Sequence, residues 1–285
     1  GCLFGLSADE LMDILDISEY TSYKIVQRMK TMNVFLKHIY EYEQKGIRII
    51  TKYDEEYPQI LSKKMKKNAP TCLFVVGNLP VEFEGISLTG LQTVTKKEKG
   101  CIKRLVDKIN NENKWLISND CKGVDQEAFQ YALHHHGHII SFLCEKMEDK
   151  AMEYKRYIRS GNLVLLSAID PIKRFTVTHA IDRNSYVCGL SKFQVVVSSK
   201  INSGATWFTI MHNMHHNWTI SLVIDNDCFG NQRLLEMKTT PLYVKNIVSD
   251  MSFEMIYNEY KKEEVEEEIN IDQMSIFEFI GDANG

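Results

Sequence analysis

Apolar residues recur along the chain with two different periods. In residues 1–45 the spacing is helical. Ser7-Ala8-Asp9-Glu10 has the Ser-x-x-Glu spacing of a capping box, in which hydroxyl and carboxylate each satisfy an exposed backbone N–H, and predicts a short helix through Leu15. Ile25, Met29, Met32, Phe35, Leu36 and Ile39 then fall at helical intervals within one longer stretch from Thr21 to Glu43. After Gly46 the pattern becomes that of strands, first Ile47 to Ile50 and then Cys72 to Val76, with a turn and helix start at Asp54 to Pro58 between them. Further apolar segments near 86–89, 115–118, 138–143, 163–166, 193–197 and 219–224 alternate with helical stretches near 96–112, 123–136, 149–159, 178–190 and 204–216. That alternation predicts an α/β fold with a doubly wound, mostly parallel sheet covered on both faces, of the Rossmann-like class. In such sheets ligands bind at the carboxyl ends of the strands, beside helix N-termini. A helix from about Val248 to Tyr260 and a charge run from Lys261 to Glu268 close the pattern, with a mobile linker expected from Glu263 onward. The predicted organisation is a helical module at 1–45, a Rossmann-like body at 46–245, and a helix plus flexible acidic tail at 246–285.

With 44% hydrophobic residues and only 15 Gly and 5 Pro in 285 positions, a fibrous or wholly disordered chain is excluded. The longest apolar runs, such as Leu163 to Ser167 and Phe193 to Val197, fall far short of the ~20 residues a membrane-spanning helix needs, so no membrane partner is expected. The first five residues lack the basic flank and long apolar stretch of a signal peptide, and the seven cysteines are scattered with no C-x-x-C pair. Both observations predict a cytoplasmic protein with reduced thiols. The net charge of -4 is segregated: from Glu259 to the end there are nine acids against two bases, which leaves the preceding 258 residues at +3. A mildly basic body of this kind can hold a polyanion through a local patch.

Four segments occur in a fixed order. The first is Gly46-Ile47-Arg48-Ile49-Ile50-Thr51 with Asp54 and Tyr57-Pro58, ahead of a strand ending in Gly77. The second is Ser118-Asn119-Asp120-Cys121-Lys122-Gly123-Val124-Asp125 with Ala128 and Ala132-Leu133. The third runs from Asp182-Arg183-Asn184-Ser185 through Gly189-Leu190-Ser191 to Asn202-Ser203-Gly204-Ala205 with Thr209, and the fourth is Phe229-Gly230-Asn231-Gln232 with Leu234-Leu235. Together they resemble the DNA-processing protein A (DprA/Smf) family over roughly residues 46–245, and the resemblance implies that the doubly wound body is an extended Rossmann-like fold. The resemblance implies a single-stranded DNA-binding protein of DNA recombination, one that hands the strand to a RecA-type recombinase in natural transformation or repair, with no enzyme activity and no cofactor, and with a homodimer among its partners. The chain departs from the family at three places. Thr89-Gly90-Leu91-Gln92 stands where relatives carry Gly-Ser-Arg, Asn119 stands in place of Gly, and Ser185 replaces the second Arg of Arg-Asn-Arg. The winged-helix domain of many relatives is not expected in the acidic residues that follow Lys245.

The residue types fit a polyanion site. Ser203 and Gly204 follow a strand and open a helix, where unpaired N–H groups and the helix dipole favour phosphate. Gly123, beside Lys122, opens another such turn, and Gly90 keeps the backbone turn after the first core strand. Arg183 and Asn184, read as lying at a helix start, supply a charged fork and an amide for a phosphate or base edge. The alternative stays open that the glycines only make tight turns and that Arg183 pairs with a local carboxylate.

Gln273-Met274-Ser275-Ile276-Phe277, after the acidic run, resembles the bacterial sliding-clamp-binding motif, in which a Gln bonds at a pocket edge and two apolar side chains fill hydrophobic pockets. His134-His135-His136-x-His138 and His212-x-x-His215-His216 fall at helix C-terminal ends, where histidine is favourable without a metal, and no metal site is assigned. There is no Gly-x-Ser-x-Gly elbow or phosphate loop of the Gly-x-x-x-x-Gly-Lys-Ser/Thr type. Two other readings accompany the first: a nucleotide-sensing module, or a clamp adaptor, in a phage-defence or mobile-element system. The nucleoside-phosphate hydrolases that share the fold use Pro-Gly-Gly-x-Gly-Thr-x-x-Glu, and Ser199 to Thr206 lacks those glycines and the Glu.

Overall fold

The computed structural model of the protein describes Leu3, residues 5–171, Lys173 and residues 175–264. The chain divides into two compact units, residues 1–49 and residues 50–285.

The first unit is helical. Helix α1 (Ala8–Leu15) starts at the predicted box, with the Ser7 hydroxyl accepting from the Glu10 N–H at 3.2 Å and the Glu10 carboxylate accepting from the Ser7 N–H at 2.7 Å. The single helix expected from 21 to 43 is two, α2 (Glu19–Lys30) and α3 (Met32–Gln44). At the break the Thr31 hydroxyl donates to the Arg28 carbonyl at 2.9 Å, the side-chain competition that loosens helices at such residues. Helix α3 ends at Gly46, whose φ of +72° lets the Gly46 and Ile47 N–H groups turn back onto the Glu43 and Tyr42 carbonyls.

From β1 (Arg48–Thr51) the chain passes through α4 (Gln59–Met65) and β2 (Cys72–Val76) into a repeating sequence of strand and helix. It runs β3 (Gly85–Thr89), α5 (Lys96–Asn111), β4 (Trp115–Ser118), α6 (Val124–His134), β5 (His138–Leu143), α7 (Met147–Glu153), α8 (Lys155–Arg159) and β6 (Leu163–Ser167). It continues with α9 (Val177–Leu190), β7 (Ser191–Val196), α10 (Gly204–His216), β8 (Ile220–Ile224), α11 (Phe229–Glu236), β9 (Thr240–Leu242) and α12 (Val244–Ile247). A last helix, α13, occupies residues 253–264, so Glu263 and Glu264, expected in a linker, are helical, and the final helix starts five residues later than the sequence pattern predicts.

The nine strands form one sheet in the order β1-β2-β6-β5-β4-β3-β7-β8-β9, and from β6 through β9 every neighbouring pair is parallel. Only β2 against β6 is antiparallel among the pairings whose direction is defined. The predicted doubly wound sheet is therefore present. One face of its centre is sealed by Ile117, Ile140 and Val164 against Leu61 and Met65 of α4 and Val187, Cys188 and Leu190 of α9. A second cluster, Val196, Trp207, Ile210, Val223 and Leu234, seats α10 and α11 beside it. Helix α6 packs on β3, β4 and β5 and against α5. Because β4, β5 and β6 lie to one side of β3 and β7, β8 and β9 to the other, winding reverses between β3 and β7, and a crevice opens there at the strand ends.

Candidate nucleic-acid interface

Three loops meet at that crevice. The first follows β3. Gly90 leaves no space for a side chain, since a Cβ would lie 2.4 Å from Val124 Cγ2, and its carbonyl accepts from the Thr206 hydroxyl at 2.7 Å, which ties this loop to α10.

The second loop, between β4 and α6, is shaped by Asp125. Its carboxylate accepts from the Ser118 hydroxyl (3.0 Å) and from the N–H groups of Asn119 (3.2 Å) and Cys121 (2.9 Å), folding the chain back on itself. Burial pushes this carboxyl up to about 6, against the N–H bonds of Cys121 and Asn119, the Ser118 hydroxyl and the Arg183 charge. Gly123 has a φ of +100°, and a Cβ there would meet the Leu91 carbonyl oxygen at 2.2 Å. It is buried and does not line the crevice, so of the two readings left open for it the tight turn is the one its surroundings fit.

The third loop joins β7 to α10. Ser199 donates to Asn231 Oδ1 at 2.9 Å, while Asn231 Nδ2 donates to the carbonyls of Val197 (3.1 Å) and Ile224 (3.0 Å), pinning the loop to the ends of β7 and β8. Helix α10 then starts after Ser203 with no side-chain cap, at Gly204 with φ +81°. Its first N–H groups therefore face outward with the positive end of the dipole behind them.

Between the loops lies a cavity of about 470 Å³. Of the seven residues assigned to nucleic acid or phosphate from the sequence, six line it: Gly90, Lys122, Arg183, Asn184, Ser203 and Gly204. Lys200, which the sequence reading passed over, joins them, although a base in a strand-to-helix loop just before Ser203 was a usable signal. Lys122 and Lys200 are exposed, and neither has a carboxylate partner among the described residues.

Arg183 and Asn184 are not at a helix start. They are the seventh and eighth residues of α9, whose N-cap is Thr176, its hydroxyl accepting from the His179 N–H. Arg183 is buried, and its guanidinium donates to the Asn119 carbonyl (3.4 Å), Cys144 Sγ (3.2 Å), Cys121 Sγ (3.0 Å) and Asn184 Oδ1 (3.2 Å). These acceptors are uncharged, so the local-carboxylate pairing is absent among the described residues and the positive charge is not neutralised by contact. Asn184 also accepts from Asn119 Nδ2 (3.0 Å) and donates to Thr209 (3.2 Å), linking the β4 loop, α9 and α10.

Residues 48–252 match the family described as DNA recombination-mediator protein A. The chain belongs to this family. Among solved structures the DNA recombination-mediator protein A fold is matched by DNA processing protein A from Streptococcus pneumoniae, with TM-score 0.67 and 19% identity over 87% of this chain and 88% of that one. DNA processing protein A from Helicobacter pylori matches with TM-score 0.59 and 17% identity over 76% of this chain and 98% of that one; its published structure concerns a unique single-stranded DNA binding mode. No curated protein matches the sequence.

Gln92 is exposed at the mouth of the cavity where the resemblance places arginine. His216 stacks on Trp218 with centroids 4.4 Å apart and His135 on Tyr131 at 3.9 Å, so both histidine clusters engage aromatic rings, and no group of three or more potential ligands is arranged for a metal among the described residues. No helix among them is long and apolar enough to cross a membrane. Gln273, Met274, Ser275, Ile276 and Phe277, the clamp-like motif, lie outside the described residues.

Proposed function

We propose that this chain binds single-stranded DNA through the cavity at the ends of β3, β4 and β7 and serves DNA recombination as a carrier of the strand, without catalysing a reaction. The observation that carries this reading is the convergence of an uncapped α10 N-terminus with Lys122, Lys200 and Arg183 on one crevice at the reversal point of the sheet. Family membership and the single-stranded DNA binding mode of the Helicobacter pylori protein support the choice of ligand. A recombinase of RecA type would receive the strand, and the Gln273 to Phe277 segment would dock the protein on a sliding clamp. For the non-catalytic reading, the one carboxylate lining the cavity among the described residues, Asp125, is occupied in holding its own loop.

Fluorescence anisotropy with a labelled 20-nucleotide strand and its duplex, across a salt series, tests the reading. The single strand is expected to bind more tightly, with affinity falling steeply as salt rises. An Arg183→Ala, Ser203→Ala double variant is expected to lose about tenfold or more in affinity, and Lys122→Ala, Lys200→Ala, which removes only exposed charges, to lower the salt slope by about two. Unchanged affinity in both overturns the assignment.

A further inference from the structure

The outer face of α5 carries charge that the cavity does not use. Lys96, Lys97, Lys103 and Arg104 are all exposed. At about 3.6 residues per turn they fall on the side opposite the buried Ile102, Leu105, Val106 and Ile109, grouped around the exposed Gly100. None of the four has a carboxylate partner among the described residues, although Lys103 also lies over the Tyr131 ring at 5.5 Å. The neighbouring acids are engaged elsewhere: Glu98 accepts from the Thr95 N–H (2.7 Å) and hydroxyl (2.6 Å), Glu127 from Lys99 (2.5 Å) and Asp107 from the Tyr131 hydroxyl (3.3 Å). Gly100 has open space where a Cβ would stand, so no packing requires a glycine there, and glycine inside a helix costs stability relative to alanine. It leaves a flat place among the four cations on which another backbone can lie close. The stripe is continuous with the cavity, which is lined by Leu91, Gln92 and Thr93; Thr95 then caps α5 and Lys96 is its first residue. Gln92 of this loop stands where the resemblance places arginine, so charge absent from the loop returns on the helix it leads into.

We propose that the outer face of the N-terminal half of α5 is a phosphate track, which holds a single strand as it leaves the cavity through Lys96, Lys97, Lys103 and Arg104, with Gly100 giving the strand's backbone room. This rests on the cavity being the nucleic-acid site proposed above. The Thr95 and Glu98 capping box closes the helix N-terminus, so the track consists of side-chain charges, which position a strand without reading its bases. From Lys96 to Arg104 it runs about 12 Å, the length of a few nucleotides. It stops there: Asp107 and Asp250 border a hollow with Arg104, and farther along α5 the buried Lys108 donates to the carbonyls of Ser249 (3.1 Å) and Met251 while Glu112 accepts from the Phe253 N–H (3.3 Å). A strand short enough to be contained in the cavity does not reach the track, and a longer one does.

The test uses the full chain with labelled oligo-dT strands of 20 and of 4 nucleotides, each followed by fluorescence anisotropy across a salt series. The variant Lys96→Gln, Lys97→Gln, Lys103→Gln, Arg104→Gln replaces exposed side chains with another good helix former, so its thermal midpoint is expected to stay at the wild-type value. It is expected to lose about tenfold or more in affinity for the 20-mer near 100 mM salt and to make that strand's salt slope shallower by about two to three, at roughly 0.7 per phosphate contact, while the 4-mer changes by less than about threefold. Gly100→Leu, which adds bulk without charge, is expected to weaken the 20-mer several-fold while raising the thermal midpoint. A fourfold variant that binds the 20-mer within about twofold of wild type with the same slope overturns the track, and so does an equal loss for both strands, which would mean a general field and no path along α5. Lys122→Ala, Lys200→Ala separates this from the reading on which it rests, since there both strands are expected to weaken alike. If that variant matches wild type while the α5 variant loses the 20-mer, the cavity reading fails and the phosphate contacts of α5 stand; if the reverse holds, the track fails and the cavity stands. No binding of the 20-mer by the wild type overturns both.

Discussion

Asp125 sits in a cavity whose other charged lining residues, Lys122, Arg183 and Lys200, are cationic. With its carboxyl raised to about 6 by burial, it is ionised at neutral pH and opposes an incoming phosphate, and it is neutral below that value. A bound polyanion favours the protonated form and raises this pKa further. Affinity therefore belongs to the acidic side, fully present below about 6 and lost as pH rises through it; a further rise of about one unit on binding makes the difference up to about tenfold. Binding of a single strand measured from about pH 5 to pH 8 is expected to weaken across that window in the wild type. In Asp125→Asn that step is expected to vanish. An identical profile in both proteins would remove Asp125 from the account.

The element that holds the site together is α11, through one side chain. Asn231 is fully buried, and its amide serves carbonyls at the ends of both β7 and β8 while accepting from Ser199. Asn231→Leu keeps the bulk but strands those groups at about 1–3 kcal/mol each, so urea unfolding is expected to show a loss of about 4 kcal/mol, and a loss under about 1 kcal/mol would contradict the clasp. The sequence pattern contained Asn231 only as part of a family segment, because what it bonds depends on where two strands end. Strands were legible where four or more apolar residues stood between turn residues, as in β5 and β6. Strand β9 was not, being three residues long with Pro241 at its centre. Periodicity located α9 to within a residue, and its bounds of 178–190 already put Arg183 inside the helix; the expectation of a helix start at Arg183 came from the residue types and not from those bounds. Most of the mouth was legible because glycine, serine and lysine at strand-to-helix turns are local signals; the meeting of Ser87 and Gln194 in the same cavity was not, because it exists only through the register of β3 on β7.

At the scale of the whole molecule, charge is distributed against the proposed function. Six acidic and no basic residues follow Glu264, in a chain whose net charge is -4. A tethered anionic segment competes with a nucleic acid for the same cations and lowers the local concentration of any other polyanion. Competition of this kind is electrostatic, so it weakens with salt over the same range as DNA binding does. A chain ending at Glu264 retains residues 253–264 of α13, including the buried Phe253 and Ile256. It is expected to bind a 20-nucleotide strand several-fold more tightly than the full chain at about 50 mM salt, with the two curves converging by about 300 mM. Equal affinity at low salt would mean that the acidic residues do not reach the cavity. Weaker binding by the shortened chain at every salt concentration would mean that the segment contributes contacts to the nucleic acid, and the clamp-like motif would then have to be reconsidered as part of the DNA-binding surface.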